Sequence, residues 1–408
     1  MNANPRPVVL AFSGGLDTSW CLLHLKRAGH SVITVTVDTG GFTPEELRSI
    51  EARARALGAA RHVAVDARER VWREVIATLV RGNVLRGEVY PLSVGAERVT
   101  QAAEVARVAR ETGAGAVAHG STGAGNDGIR FDVALSVLAP GLRIVAPVRE
   151  LGITRETETR ELSEAGFPVE PKTTRYSVNR GLWGTTIGGG ETHRSWEEPS
   201  EEAWTLTVSP ARAPDQPREL VLGWERGLPV SLDGRPLAGP ALVAALNEQA
   251  GAHGVGRGLH VGDTILGIKG RIAFEAPAAV VLIRAHRELE KLVLTRWQQY
   301  WKKVIADFYG MMLHEGLWFD PVMRDVEAFI ERSQERVSGE TRVRLFKGNV
   351  DVPGVRSPFS MMAPDLARYG EEARYFDGRD AEGFARIFGV PSVLAARAAA
   401  SSAPEKQA

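Results

Sequence analysis

Between Val8 and Val148 the chain alternates two patterns. Short runs of apolar, largely β-branched residues at Val8 to Phe12, Val32 to Val37, His62 to Val65, Ala116 to His119 and Ile144 to Val148 are separated by stretches of helical periodicity. Runs that are apolar on both faces need cover on both faces, which a parallel sheet between two layers of helices provides. The first third is therefore expected to be α/β, with helices between the strands. The clearest local signal follows the second run. Thr43 caps a helix, Pro44 takes its first position, Glu46 closes a capping box, Phe42 staples onto Leu47 and Gly58 ends it.

From about Pro168 the alternation stops and glycine becomes dense, as at Gly181, Gly184 and Gly188 to Gly190, which predicts a domain boundary followed by a loop. Further on, Glu219 to Trp224 and Leu228 to Leu232 flank a Gly-containing turn and read as a hairpin, and Leu242 to Ala250 reads as a short helix. Arg284 to Ser333 is rich in helix formers, and its aromatics Trp297, Tyr300, Trp301, Phe308 and Tyr309 are expected to pack internally. Ala381 to Ala399 reads as one amphipathic helix before a polar tail, Ser401 to Ala408. The expected organisation is an N-terminal domain over 1–168, an α+β domain over 169–375, and a C-terminal helix and tail over 376–408.

At 408 residues the chain exceeds what one core usually supports. Its 50 basic and 50 acidic residues balance, which removes the electrostatic footprint that binding to phosphate backbones needs, so nucleic acid is disfavoured as a partner. The single cysteine, Cys21, excludes an internal disulfide and a thiolate zinc cage, and no resident metal site is expected. No apolar run approaches a membrane span, and the N-terminus lacks the layout of a secretory signal, so a cytoplasmic location is expected.

The segment Ser13-Gly14-Gly15-Leu16-Asp17-Thr18-Ser19 sits where the first strand ends and a helix begins. There the free N–H groups of the helix start form an anion site, the glycines admit close backbone approach, and the hydroxyls of Ser13, Thr18 and Ser19 add donors. Polyphosphate is the matching ligand. The segment is neither a Walker A sequence, which needs a lysine, nor the dinucleotide fingerprint. A second glycine-rich junction, His119 to Asp132, follows the fourth strand, and the carboxyl ends of parallel strands face one crevice. With a helix starting near Asn126, Arg130 shares a face with Asn126 and Asp127 and is free to pair with a substrate carboxylate. The alternative is a self-capping loop in which Asp127 pairs with Arg130. His119 reads as a satisfied strand-end histidine.

Ser-Gly-Gly-x-Asp-x-Ser resembles the PP-loop of ATP pyrophosphatases, which hold the β and γ phosphates as leaving pyrophosphate and transfer AMP. Over nearly the whole chain the motifs resemble the argininosuccinate synthase family. They are Ala11 to Ser19, Tyr90, His119 to Phe131, Tyr176-Ser177, Leu182-Trp183-Gly184, His253 to Arg257, Gly267-Ile268-Lys269, Glu275-Ala276-Pro277 and Ser333-Gln334-Glu335. The resemblance implies an adenine nucleotide alpha hydrolase-like PP-loop domain, an α+β synthetase domain and a C-terminal oligomerisation helix. It also implies an ATP- and Mg²⁺-dependent ligase of arginine biosynthesis and the urea cycle, usually a homotetramer, joining L-citrulline to L-aspartate through a citrulline adenylate with release of AMP and diphosphate.

Carried over by position, Ala11, Phe12, Ser13, Gly14, Gly15, Leu16, Asp17, Thr18, Ser19, Val37 and Gly120 would bind ATP, with Ser13, Asp17 and Ser19 acting on the reacting phosphates. Thr122, Asn126 and Asp127 would bind aspartate. Tyr90, Asn126, Arg130, Ser177 and Thr186 would line the citrulline pocket, and Gly181 to Gly190 is a lid candidate or an exposed connector. The departures cluster on the acceptor side: Asp38-Thr39-Gly40-Gly41, Ser93-Val94-Gly95, Gly262 for a glutamate and Phe274 for a tyrosine, with His260 to Thr264 as the mark of a divergent branch. Asp263 is a candidate for the missing carboxylate. The alternatives are a PP-loop ligase with a different ureido or amide acceptor, a tRNA-modifying or amide-forming relative, and a non-catalytic nucleotide sensor. Neutral charge, the lone Cys21 and the second loop disfavour the last two groups.

Overall fold

The computed structural model describes residues 6–168, 175–237 and 239–401. They form two compact units, divided after Phe359. In the first unit β1 (Val8–Ala11), β2 (Val32–Asp38), β3 (Arg61–Asp66), β4 (Ala116–Ala118) and β5 (Arg143–Val145) make a parallel sheet in the order β3-β2-β1-β4-β5. Alternation along β1 explains its two covers. Val8, Leu10 and Phe12 pack with Trp20, Leu22, Leu25 and Ile50, whereas Val9 packs with Ile33, Ala102 and Val105 on the opposite face. All seven residues of β2 are buried, as expected of an inner strand. The fifth strand is shorter than its apolar run. Pro147 has no N–H to give the sheet, and it opens a helix over Pro147–Leu151 instead.

Two antiparallel sheets follow. β6 (Tyr176–Gly181), β7 (Gly184–Gly189), β11 (Arg257–Asp263) and β12 (Lys269–Glu275) are ordered β11-β12-β7-β6. β8 (Arg218–Glu225), β9 (Leu228–Leu232), β10 (Arg235–Pro236), β13 (Gly339–Phe346) and β14 (Asn349–Arg356) are ordered β10-β9-β8-β13-β14. The expected β8–β9 hairpin is present, and the expected short helix runs over Gly239–Ala252. The largest apolar cluster joins Val71, Val75, Leu79, Tyr90 and Leu92 to Leu282, Leu289, Tyr309 and Leu313. Side chains from the α/β part thereby share one core with the helices Pro277–Val293 and Arg296–His314.

Three expectations need correction. The glycine-dense segment is a β-hairpin, with its tip residues Leu182 and Trp183 buried. Of the aromatic stripe, only Tyr309 is in the core; Trp297, Tyr300 and Trp301 are 61%, 57% and 55% exposed, because the helix turns that face outward. In the second unit the single expected helix is two, Gly378–Phe388 and Val390–Ser401, since Gly389 caps the first and Pro391 suits the opening of the next. The tail beyond Ser401 lies outside the described residues.

Candidate active site

β1 pairs in parallel with both β2 and β4, so the loops that leave β1 and β4 open side by side at the carboxyl ends of neighbouring strands. Ala11 and Val37 are strand residues, in register with Val35 and Val65. Phe12 extends the sheet, its N–H donating to the Val35 carbonyl at 2.8 Å while Thr36 Oγ1 donates to its own carbonyl at 2.6 Å. The backbone then leaves the sheet. Gly14 sits at φ +75°, and a Cβ built there would stand 2.9 Å from Ile50 Cγ1, so conformation and space both require glycine.

Gly15 is the N-cap of the helix Leu16–Arg27, and no side chain caps that helix. Its opening N–H groups are available to an anion. The exposed hydroxyls of Ser13 and Thr18 lie 3.3 Å apart. Ser19 faces the other way: it is buried, its Oγ accepts from Arg53 Nε at 2.7 Å and donates to the Gly14 carbonyl at 3.4 Å. It braces the loop. Leu16 is partly buried against the core. The carboxyl of Asp17 lies beside that of Glu158, whose two oxygens are buried without a well-formed hydrogen bond. Burial, and then the neighbouring Asp17, push the Glu158 acid well above the usual carboxylate range.

Gly120 packs against the first loop. A Cβ there would lie 3.1 Å from Thr18 Cγ2 and 3.2 Å from the Asp17 carbonyl carbon, so only a glycine lets the loops meet so closely. The second helix, Asn126–Leu138, starts as expected and again has a glycine N-cap, Gly125, without a side-chain cap. Thr122 is exposed at the mouth of this loop. His119 is satisfied, as read from the sequence: its Nε2 lies 2.9 Å from Asp132 Oδ1, and Arg149 holds the other Asp132 oxygen at 2.6 Å.

Asp127 does pair with Arg130, at 2.9 Å, yet the loop is not self-capping, because Arg98 Nε holds the second carboxylate oxygen, also at 2.9 Å. Burial would raise Asp127, but the Arg98 and Arg130 guanidiniums outweigh it and hold the carboxyl well below its ordinary range. Arg98 also donates to Asn179 Oδ1 at 3.0 Å, which ties the cluster to β6. Ser177 lies on the same face of β6 as Asn179, and Asn179 is in register with Thr186 of β7, which in turn faces Phe274 of β12. Tyr90 is buried, stacked on His260 with ring centroids 5.6 Å apart and tilted against Phe274 at 5.3 Å, with its hydroxyl donating to the Ser93 carbonyl at 2.7 Å. Burial pushes its phenol up to about 12. Asn126 Oδ1 accepts from Ile265 N–H at 2.9 Å, so the β11–β12 turn closes over the second loop.

Asp263 does not supply a carboxylate to this wall. Its side chain pairs outward with Lys269 at 2.7 Å, and only its backbone carbonyl, which accepts from Arg86 Nη2 at 2.7 Å, points to the cluster. The hairpin of β6 and β7 is neither an exposed connector nor a free lid at its tip. Leu182 N–H donates to the Thr39 carbonyl at 2.8 Å, Trp183 N–H to Glu97 Oε1 at 3.1 Å and Trp183 Nε1 to the Pro91 carbonyl at 2.9 Å. Arg53, Arg86, Arg98, Glu158, Asn179 and His314 carried no motif in the sequence. Their place in the site comes from contacts between segments far apart in the chain.

Residues 7–168 match the arginosuccinate synthase N-terminal HUP domain and residues 176–395 the arginosuccinate synthase C-terminal domain. The argininosuccinate synthase of Thermosynechococcus vestitus is 42% identical over 388 residues, covering 94% of this chain and 96% of that protein. That of Pyrococcus furiosus is 41% identical, covering 95% and 94%, and that of Methanocaldococcus jannaschii 39% identical, covering 95% and 98%.

Proposed function

The chain belongs to the argininosuccinate synthase family, and from that premise we propose that it ligates L-citrulline to L-aspartate at the expense of ATP, giving argininosuccinate, AMP and diphosphate. The observation that carries the reading is the meeting of the loops that leave β1 and β4, each of which leads into a helix start without a side-chain cap, with Gly120 against the backbone of Asp17 and Thr18. One loop supplies N–H donors for a polyphosphate, and the other leads directly into Asn126, Asp127 and Arg130.

A ureido oxygen is a weak nucleophile and its carbon a weak electrophile, so direct attack by an amine is slow. Adenylation corrects both. The citrulline oxygen bonds to the α phosphorus, and the bond from that phosphorus to the β-bridging oxygen breaks, its electron pair leaving with diphosphate. The N–H groups of the first loop and the hydroxyls of Ser13 and Thr18 stabilise that leaving charge. The aspartate amine then bonds to the activated carbon, AMP departs with the carbon–oxygen electron pair, and the amine proton is released. Thr122, Asn126 and Asp127 orient aspartate, while Tyr90, Arg130, Ser177 and Thr186 orient citrulline, so positioning supplies much of the rate. No covalent enzyme nucleophile is needed.

Asp17 and Glu158 fit a Mg²⁺ ion. Glu158 has two buried oxygens without a hydrogen-bond partner and the Asp17 carboxyl lies beside it next to the first loop, and carboxylate oxygens are the hard donors that cation prefers. Bound there it would neutralise phosphate charge. A homotetramer in the cytoplasm belongs to the same reading. The apolar faces that each unit leaves uncovered by itself, Trp297, Tyr300 and Trp301 in the first and Phe384, Ile387 and Phe388 in the second, support assembly.

The test is product analysis. With ATP, citrulline and aspartate together we expect AMP, diphosphate and argininosuccinate, with argininosuccinate lost when any substrate is omitted. ADP and orthophosphate as products would overturn the reading.

A further inference from the structure

Arg98 and Arg130 stand around Asp127, and a third arginine, Arg86, lies beyond Arg130 on the other side of His314. Arg98 and Arg130 share that carboxylate, whereas Arg86 has no carboxylate partner among the described residues. Its contacts are the Asp263 carbonyl, at 2.7 Å, and the ring of His314, where Arg86 Nη1 meets Nε2. The other ring nitrogen, Nδ1, lies 3.0 Å from Arg130 Nη2. Burial, then Arg130 and Arg86, push His314 down to about 3, so the ring is neutral.

A neutral imidazole has one acceptor nitrogen, and guanidiniums only donate. One of the two arginine–histidine contacts therefore sets N–H against N–H. Arg130 is fixed independently of the ring, through Nε to the His314 carbonyl at 2.9 Å and through Nη1 to Asp127. Arg86 is only half-buried and has a single other bond. The frustrated contact is thus the one that yields, at Arg86. An acceptor with two oxygens, set between Arg86 and Arg130, would satisfy both guanidiniums. At Gly95 no side chain covers the Arg130 guanidinium, where a Cβ would stand 3.5 Å from Cζ.

We propose that Arg86, which the His314 ring leaves without an acceptor, pairs with Arg130 to bind the carboxylate of citrulline. The assignment rests on the functional reading above. It selects citrulline over aspartate because Arg86 bridges to Tyr90, its N–H donating to the Tyr90 carbonyl at 2.8 Å, on the acceptor side of the site.

The experiment compares citrulline with citrulline amide, which lacks the carboxylate, in the native chain and in Arg86→Met and Arg86→Lys. Arg86→Met is expected to raise the KM for citrulline at least tenfold, leave the KM for ATP and for aspartate within twofold, and leave the KM for the amide where the native chain has it. Arg86→Lys should recover part of the loss. An unchanged citrulline KM in Arg86→Met overturns the proposal. So does a rise shared equally by the amide or by ATP, which marks a structural role, and so does a rise confined to aspartate. A native chain that releases no diphosphate with citrulline and aspartate has failed at the functional reading itself, and this assignment falls with it.

Discussion

Arg130 is the side chain that ties Asp127 to His314. It is buried, it donates to Asp127, to the His314 carbonyl and toward the His314 ring, and Gly95 leaves its face open. Removing it takes away a charged donor beside Asp127 while leaving the Ser13–Ser19 loop intact, and on the proposed function that donor faces citrulline. Arg130→Ala is therefore expected to raise the KM for citrulline far more than that for ATP in steady-state kinetics; equal effects would count against its placement. The Asp127–Arg130 pair was legible from helical spacing, since residues three apart share a helix face. Arg98, Arg86 and His314 were not, because the contacts that bring them together span from 29 to 228 positions of chain.

Among the elements, the helix Pro44–Ala56 was readable almost residue by residue. Thr43 Oγ1 accepts from Glu46 N–H at 3.2 Å and Glu46 Oε2 accepts from Thr43 N–H at 2.8 Å, the reciprocal box that the sequence announces. Thr43→Ala is expected to cost about 1 kcal/mol in a denaturant titration, through the loss of that cap. Capping is local, involving atoms three residues apart, which is why a single sequence displays it. The β6–β7 hairpin shows the reverse. Its glycines imitate a loop, and only partners from other segments, Thr39, Pro91, Glu97 and Asn247, reveal that its tip belongs to the core.

At the scale of the molecule, Glu97 joins these parts. It is buried beneath the hairpin tip, with Oε1 accepting from Trp183 N–H and Oε2 unpartnered, and burial pushes its acid up to about 7. A folded state that prefers the protonated acid loses stability as pH rises from the unfolded pKa, about 4.5, through 7. Glu97→Gln does not titrate, so relative to the native chain it should gain roughly 2–3 kcal/mol between pH 5 and pH 8 in chemical denaturation. A difference that stays flat across that interval would show that Glu97 ionises freely. His286 runs the other way. Held near 4 by burial, it is neutral in the fold, and its contribution is lost as pH falls from about 6.5 toward 4.

The sequence by itself determined what depends on neighbours along the chain: the parallel α/β class from apolar runs, the glycine loop from Ser13 to Ser19 between strand and helix, the helix starts at Pro44 and Asn126, and the family from motifs in order. The tertiary structure decided what depends on contacts at long range. The strand order set β1 beside β4 and so made two loops one crevice. Packing turned Ser19 inward to Arg53, sent the Asp263 carboxylate out to Lys269, left Trp297, Tyr300 and Trp301 uncovered, and gathered Arg98 and Arg130 around Asp127, with His314 between Arg130 and Arg86. Periodicity and capping are properties of a few adjacent residues, whereas burial and charge pairing exist only once distant segments have met.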